Sequence, residues 1–348
     1  MKRNILIIRL TSFGDITLTT HLPRIIKSKY PDISIDYITS DFFADIVSHN
    51  LYLDDILFYD KNNNIILTEN GNSIEYGRKK YDYVFDLQKN KYSKKIIKHF
   101  KSEVFRLKKE NWKKFLLVHF KINLYKSIKH VSQKYLAVFS ILNIKDDNQG
   151  LEIWLPEEKA KKALSKSINE DVNTIIVAPG AKHFTKCYPP EKYIELIEYL
   201  NNTISITKKL KFLLLGSNEE VSVCKDIENA FLEKDINIEN LAGTTSILES
   251  VKIVDSAKLV ICNDSALMHV AVARKTPVIA IFGSTVQEFG FFPISSNAHV
   301  IEKTLKCRPC THIGRSNCPK GHFRCMNDIS VEDFKEILNS DLSLELKK

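Results

Sequence analysis

Five short stretches of this chain put carboxylates, lysines, thiols and small residues where an apolar run gives way to a turn or a helix start. The first is Leu10-Thr11-Ser12-Phe13-Gly14-Asp15. Gly14 suits a tight turn there, and the free backbone N–H groups of a helix start attract anions, Ser12 adding a hydroxyl. Asp15 has two readings. It caps the helix, a role that Thr11 or Ser12 could fill equally well, or it serves as a general base at the helix start. The second stretch runs from Ala178 to Pro189 and contains Pro179-Gly180, Lys182 and Lys186. Two lysines on a loop before a helix suit a diphosphate, although Lys182 in particular reads as plain surface charge. The third is Cys262-Asn263-Asp264-Ser265-Ala266-Leu267-Met268-His269. Asp264 or Ser265 caps the next helix, and the N–H groups of Ser265, Ala266 and Leu267 could cradle phosphate oxygens and offset charge on a leaving group. His269, one turn inside, reads by itself as a packing histidine.

The fourth stretch, Leu215-Gly216-Ser217-Asn218-Glu219-Glu220, offers Asn218 or Glu219 to a ribose hydroxyl or, more simply, a helix cap. The fifth gathers Cys307, Cys310, Cys318 and Cys325. Four thiols could hold a structural zinc in a tetrahedral site, but their spacing is irregular for the common zinc modules, and a thiol-packed loop without metal is an equal reading. No Asp-x-Asp triplet occurs in the chain. The carboxylate pair by which many sugar transferases hold a metal on a nucleotide diphosphate is therefore missing, and no cofactor is expected beyond that optional zinc. The dinucleotide fingerprint G-x-G-x-x-G is absent too, which disfavours a dehydrogenase or epimerase.

These loops need elements to position them. In the first half, strands are predicted at Asn4–Arg9, Ile33–Ile38, Asp55–Phe58, Tyr83–Leu87 and Val104–Leu107, with helices at Ile16–Lys29, Asp41–His49, Lys91–Phe100 and His130–Leu142. A polar, turn-forming break falls at Lys145 to Gly150. After it come a helix at Glu157–Ser167, strands at Thr174–Ala178, Lys211–Leu215, Ile238–Leu241, Leu259–Cys262 and Val278–Phe282, and helices at Pro190–Asn201, Glu219–Phe231, Ser246–Asp255 and Ser265–Arg274. Alternating strands and helices imply parallel sheets. The expected fold class is α/β, with two Rossmann-like domains, 1–150 and 151–330, facing across a cleft, and a closing helix and tail over 331–348. In such sheets ligands sit outside the carboxyl ends of the strands, where the unusual residues fall.

Composition narrows the class. The chain has 348 residues, enough for two cores, and its 44% hydrophobic and 27% charged residues are those of an ordinary globular protein. The apolar start Ile5–Ile8 is cut short by Arg9 and Asp15 without a small-residue cleavage site, so it reads as a buried strand and the expected compartment is the reducing cytoplasm. The net charge of +9 is uneven: Lys89 to Lys129 holds thirteen Lys and one Arg against Glu103 and Glu110, a net +12, leaving the rest near −3. That segment is either a solvated lysine face or a surface for a polyanion, whether phosphorylated glycolipid, anionic membrane or nucleic acid.

Together, Ile7-Ile8-Arg9-Leu10-Thr11-Ser12-Phe13-Gly14-Asp15, Asp86-Leu87-Gln88 with Ser93, Ala178-Pro179-Gly180 with Lys186, Asn263 to His269 with Pro277 and Phe282-Gly283, and Cys307-x-x-Cys310 with Cys325-Met326 resemble glycosyltransferase family 9, the heptosyltransferases of lipopolysaccharide core assembly. The resemblance covers nearly the whole chain, and its specificity lies in the initial Gly-Asp combined with the Asp-Ser-x-x-x-His block. It implies a GT-B fold and inverting transfer of heptose from ADP-heptose to a phosphorylated lipid A-core acceptor, with no metal at the diphosphate. Asp15 would take the acceptor proton. Lys186 and the Ser265–Leu267 helix start would stabilise the departing diphosphate, Asp264 would bind sugar hydroxyls, and His269 would support the diphosphate or its loop. Thr245 with Asn218 and Glu219 would line the adenosine site. Ser12, Gly14, Gln88 and Lys91 would face the acceptor, with the lysine segment meeting acidic sugars and the inner, cytoplasmic leaflet of a membrane; no nucleic-acid partner is implied. Ala181 and Lys182 depart from relatives that carry hydroxyl residues there. The competing readings are a family relative using another nucleotide sugar, and a non-enzymatic scaffold that binds anionic glycolipid.

Overall fold

The structure is a computed structural model and describes residues 3–60, 62, 65–68, 79–156, 173–204 and 209–340. The helix expected at Glu157–Ser167 lies outside the described residues. Two compact units emerge, one of residues 1–110 and 129–156, the other of 111–128 and 157–348.

The first unit is built on a six-stranded sheet of β1 (Asn4–Ile8), β2 (Ser34–Thr39), β3 (Asp55–Asp60), β4 (Ile65–Thr68), β5 (Tyr83–Asp86) and β6 (Glu103–Arg106), in the order β4-β3-β2-β1-β5-β6. All neighbours pair in parallel except β3 with β4. The central strands are apolar and buried along their length, as a parallel sheet covered on both faces requires. The chain steps outward from β1 to β2 and β3, then returns to the other side of β1 with β5. The topological switch point therefore lies at the carboxyl ends of β1 and β5, which are followed by Asp15 and Gln88.

The predicted helix Ile16–Lys29 is two helices, Phe13–Thr17 and Leu22–Lys29. Three threonines explain the break: Thr17, Thr19 and Thr20 turn their hydroxyls back onto the carbonyls of Phe13, Ile16 and Thr17 at 3.0, 2.7 and 2.8 Å, and Pro23 opens the second helix. His21 lies in this turn, 4% exposed. Burial, opposed by Asp146, pushes its imidazole down to about 4. Between its ordinary value near 6.5 and 4, the unfolded chain takes up a proton that the folded one refuses, so stability falls as pH falls through that window. From pH 6.5 to 5 the loss is about 2 kcal/mol. A His21→Gln variant should lose less stability than the parent over that interval, as read from urea midpoints.

The polar break at 145–150 is not a free linker. Arg24 donates from Nε to Asp147 at 2.8 Å and from NH2 to the Gly150 carbonyl at 2.8 Å, and pairs with Glu152, so the first unit continues to Pro156. A helix that sequence reading did not predict, Asn111–Phe120, leaves this unit and packs Leu117 and Val118 against Phe289 of the second. This helix belongs to the second compact unit, although it lies within the 1–150 segment of the chain.

The second unit carries an all-parallel sheet of β7 (Asn173–Ala178), β8 (Leu210–Leu214), β9 (Ile238–Asn240), β10 (Leu259–Asn263), β11 (Val278–Phe282) and β12 (Ala298–Glu302), ordered β12-β11-β10-β7-β8-β9. Its switch point lies between β7 and β10. The helix Val331–Ser340 closes this unit, seating Phe334 and Leu338 in the core with Tyr188 and Tyr193. The α/β class and parallel sheets are as expected; β4, β12 and the short helix Arg324–Asn327 were not predicted. No helix among the described residues is long and apolar enough to cross a membrane.

Candidate active site

In the first unit, β1 is followed by Arg9, which is 6% exposed. Its guanidinium donates to the Leu87 carbonyl at 2.7 Å and pairs with the Asp15 carboxylate at 2.7 Å. The other Asp15 oxygen accepts from the Tyr135 hydroxyl at 3.1 Å, and Ser12 donates to Asp15 at 3.2 Å. Burial and the nearby Asp15 charge push the Tyr135 phenol well up against the lowering pull of Arg9, so it remains a hydrogen-bond donor. Asp15 is not the cap: Ser12 occupies the N-cap position and Asp15 lies in the first turn. The carboxylate is thus oriented on three sides while its side chain stays 28% exposed. That geometry suits a proton acceptor better than a structural cap.

Gly14 is buried inside the helix rather than in a left-handed turn, and this helix spans only five residues, so it offers little to an anion. Gln88 is committed to the loop: its amide oxygen accepts from the N–H groups of Leu10 at 3.0 Å and Thr11 at 3.3 Å, and its amide nitrogen donates to the Thr11 hydroxyl at 3.2 Å. Lys91 is exposed at a helix start, its ammonium 5.0 Å from the centre of the Tyr92 ring.

In the second unit, the loops after β7 and β10 meet at the switch point. Lys186 pairs with Asp264 at 2.7 Å, and Asp264 also accepts from the Thr285 hydroxyl at 2.8 Å. Asn263 locks the two loops together, accepting from the Tyr188 N–H at 3.0 Å and the Tyr193 hydroxyl at 3.1 Å and donating to the Pro179 carbonyl at 2.7 Å. Ser265 is the N-cap of the nine-residue helix Ala266–Arg274, yet its side chain makes no capping bond and its buried hydroxyl has no hydrogen-bond partner among the described residues. The first N–H groups of any helix lack intrahelical acceptors. A hydroxyl without a partner, a helix N-terminus spanning Ser265, Ala266 and Leu267, and a lysine paired with the neighbouring Asp264 therefore lie together, an arrangement whose chemistry suits an anion. His269 is buried one turn further in.

Gly180 is required by close approach: a Cβ there would lie 2.1 Å from the Glu220 side chain, which is held in a capping box with Ser217. Asn218 and Glu219 are exposed on the turn after β8. The turn after β9 is tied to it by the Gly243 N–H donating to the Gly216 carbonyl at 2.9 Å, and Thr245 in that second turn shares a hydrogen bond with Ser250 at 2.8 Å. The residues expected along an adenosine thus share one end of one sheet.

The four late cysteines are free. Cys325 sits in the core and Cys318 packs against it, and burial pushes the Cys325 thiol up to about 11. No three His, Cys, Asp or Glu side chains among the described residues gather to hold a metal. Sequence reading also missed Arg9, Tyr135 and Thr285 as partners of the two key carboxylates. Arg9 lay within the quoted motif, whereas Tyr135, 120 residues from Asp15, left no sequence signal.

Comparison with known proteins places the chain in a family and a fold class. The sequence profile of glycosyltransferase family 9 (heptosyltransferase) matches residues 75–320, more than half of the chain. Lipopolysaccharide heptosyltransferase 2 of Salmonella typhimurium is 28% identical over 190 residues, covering 54% of this chain and 52% of that protein, so the chain spans about half the length of such curated relatives. Lipopolysaccharide heptosyltransferase 1 of Campylobacter coli is 26% identical over 344 residues, covering 96% of this chain and 97% of its own. Among solved structures, Escherichia coli ADP-heptose lipopolysaccharide heptosyltransferase II superposes with a TM-score of 0.72 at 20% identity, covering 99% of both chains, and E. coli heptosyltransferase WaaC with ADP-2-deoxy-2-fluoro heptose gives 0.66 at 16%, covering 97% of this chain and 99% of that one. These likenesses establish the GT-B fold class, and the profile establishes the lineage: the chain belongs to glycosyltransferase family 9, the heptosyltransferase family.

Proposed function

We propose that this protein is an inverting glycosyltransferase that moves heptose from ADP-heptose to a hydroxyl of a phosphorylated lipopolysaccharide-core acceptor, with no metal at the diphosphate. The observation that carries the reading is the anion receptor of Lys186, the orphan Ser265 hydroxyl and the following helix start, at the switch point of the second sheet. The family's heptosyltransferases and the ADP-sugar named for a structural neighbour support the choice of donor.

On this reading the second unit holds the donor and the first supplies the base. The acceptor O–H gives its proton to Asp15 as its oxygen bonds to the anomeric carbon. The bond from that carbon to the diphosphate oxygen breaks on the opposite face, and the electron pair leaves with ADP. Negative charge then grows on the diphosphate, where Lys186 and the Ser265–Leu267 amides are preorganised to meet it. Asp264, paired with Lys186 and Thr285, positions that lysine and receives sugar hydroxyls. Positive side chains and amides do the work that the missing Asp-x-Asp triplet would assign to a metal. The acceptor lipid places the enzyme in the cytoplasm, peripheral to a membrane.

Donor identity is tested by thermal shift against ADP, UDP and GDP. A ligand that binds only the folded state raises the melting temperature in proportion to the logarithm of its saturation. ADP should give the largest rise, and a clear preference for UDP or GDP would contradict the assignment.

A further inference from the structure

Six of the fourteen large hydrophobic side chains that stand exposed among the described residues fall within one eighteen-residue segment, 111–128. On the helix Asn111–Phe120, Leu117 and Val118 face inward against Phe289, while Trp112, Phe115 and Phe120 are 59%, 53% and 61% exposed. Phe115 contacts both His119 and Phe120, with ring centres 4.5 and 6.0 Å apart, so the outer face is a continuous aromatic ridge. Beyond the helix, Ile122, Leu124 and Ile128 are again 40–48% exposed. The segment carries Lys113, Lys114, Lys121 and Lys126 and no carboxylate.

A second feature adjoins the first. Lys121 closes the helix, donating to the carbonyls of Val118 at 3.0 Å, Cys307 at 3.0 Å and Pro309 at 2.5 Å. It thereby ties the ridge to an open cavity of about 610 Å³ lined by Lys121, Lys306, Lys320, His322 and Arg324, the last of these paired with Asp328 at 2.8 Å. The cavity is cationic and the adjoining surface aromatic and aliphatic. That pairing fits the boundary of an anionic bilayer, where aromatic rings seat among headgroups and lysines meet phosphate. Protein interfaces are depleted in lysine, and a nucleic acid has no use for exposed Ile122, Leu124 and Ile128.

We propose that the 111–128 ridge and the adjoining cationic cavity form a docking surface for an anionic lipid bilayer, the ridge entering the interfacial zone and the cavity taking a phosphate headgroup. This deepens the peripheral membrane location of the proposed function and rests on that part of it, but it uses none of the transfer residues and can fail without affecting donor binding.

The chain has two tryptophans, and Trp154 is partly buried beside Tyr52, so Trp154→Phe leaves Trp112 as the sole reporter. The full-length variant is mixed with phosphatidylcholine vesicles with and without phosphatidylglycerol. Blue-shifted Trp112 emission and co-sedimentation are expected with the anionic vesicles alone. Adding Phe115→Ser and Phe120→Ser should abolish the blue shift and weaken co-sedimentation by about tenfold or more, with an unchanged melting temperature. Lys306→Glu with Lys320→Glu should also weaken co-sedimentation. Absence of binding to anionic vesicles, binding without a Trp112 shift, or wild-type binding by the phenylalanine variant would overturn the proposal. Loss through the lysine variant alone would likewise overturn it and mark the surface as a site for soluble polyanions.

Discussion

Asp15→Asn should lower kcat by about 10³-fold while leaving the affinity for the nucleotide sugar within a few-fold of wild type. Asparagine keeps the shape and can still accept from Tyr135, but it has no basic oxygen to take the acceptor proton. The carboxylate's three contacts, with Arg9, Tyr135 and Ser12, hold it in one orientation, and preorganisation of that kind is lost in a single substitution. Arg9 would lose its ion-pair partner but retain the Leu87 carbonyl, so folding should survive. The check is steady-state kinetics alongside a melting curve. A kcat within tenfold of wild type, in a folded variant, would remove Asp15 as the base.

Asp86→Ala should cost about 3 kcal/mol or more of stability and also impair turnover. Asp86 is fully buried. One oxygen accepts from the N–H groups of Gln88 at 3.1 Å and Lys89 at 2.7 Å, the other from the Ser93 hydroxyl at 3.0 Å and Arg106 Nε at 2.8 Å. Deleting the carboxylate takes the acceptor from the Gln88 and Lys89 N–H groups and from the charged Arg106, and leaves the Ser93 hydroxyl only the Asn90 carbonyl at 3.2 Å. The damage also reaches the site, because Asp86 fixes the Gln88 backbone and the Gln88 amide braces Leu10 and Thr11, four to five residues before Asp15. Urea unfolding should show the midpoint fall, with Asp86→Asn milder because it keeps an acceptor. A variant as stable as wild type would show that this network is dispensable.

How much of this was legible in the sequence depends on the range of the interaction. Runs of branched apolar residues such as Asn4–Ile8 and Val278–Phe282 announce buried strands, and a turn after each announces a strand's end, so Asp15, Lys186 and Asp264 could be placed just beyond strand ends, where the structure also has them. Strand order was not legible. Only the folded sheet shows that both sets of loops flank switch points, because order is decided by packing between distant strands. Asp86, Gln88 and Ser93 stood out as a motif, but their role is to hold the Asp15 loop, and a side chain's hydrogen-bond partners are not written in its spacing. Tyr135 fell inside the predicted helix His130–Leu142 with nothing in the sequence to mark it. The segment 111–128 read as part of a lysine-rich stretch because its aromatic residues face solvent while Leu117 and Val118 turn inward, which blurs the usual single apolar stripe.

The proposed mechanism rests on a division of labour between the two units, and calorimetric titration of ADP into wild type, Lys186→Ala and Asp15→Asn tests it most directly. Removing Lys186 deletes a charge placed for the diphosphate and should weaken ADP binding by about tenfold or more, whereas Asp15→Asn should leave it nearly unchanged. Undiminished ADP binding by Lys186→Ala, or its loss on changing Asp15 in a folded protein, would contradict the assignment of nucleotide to the second unit and base to the first.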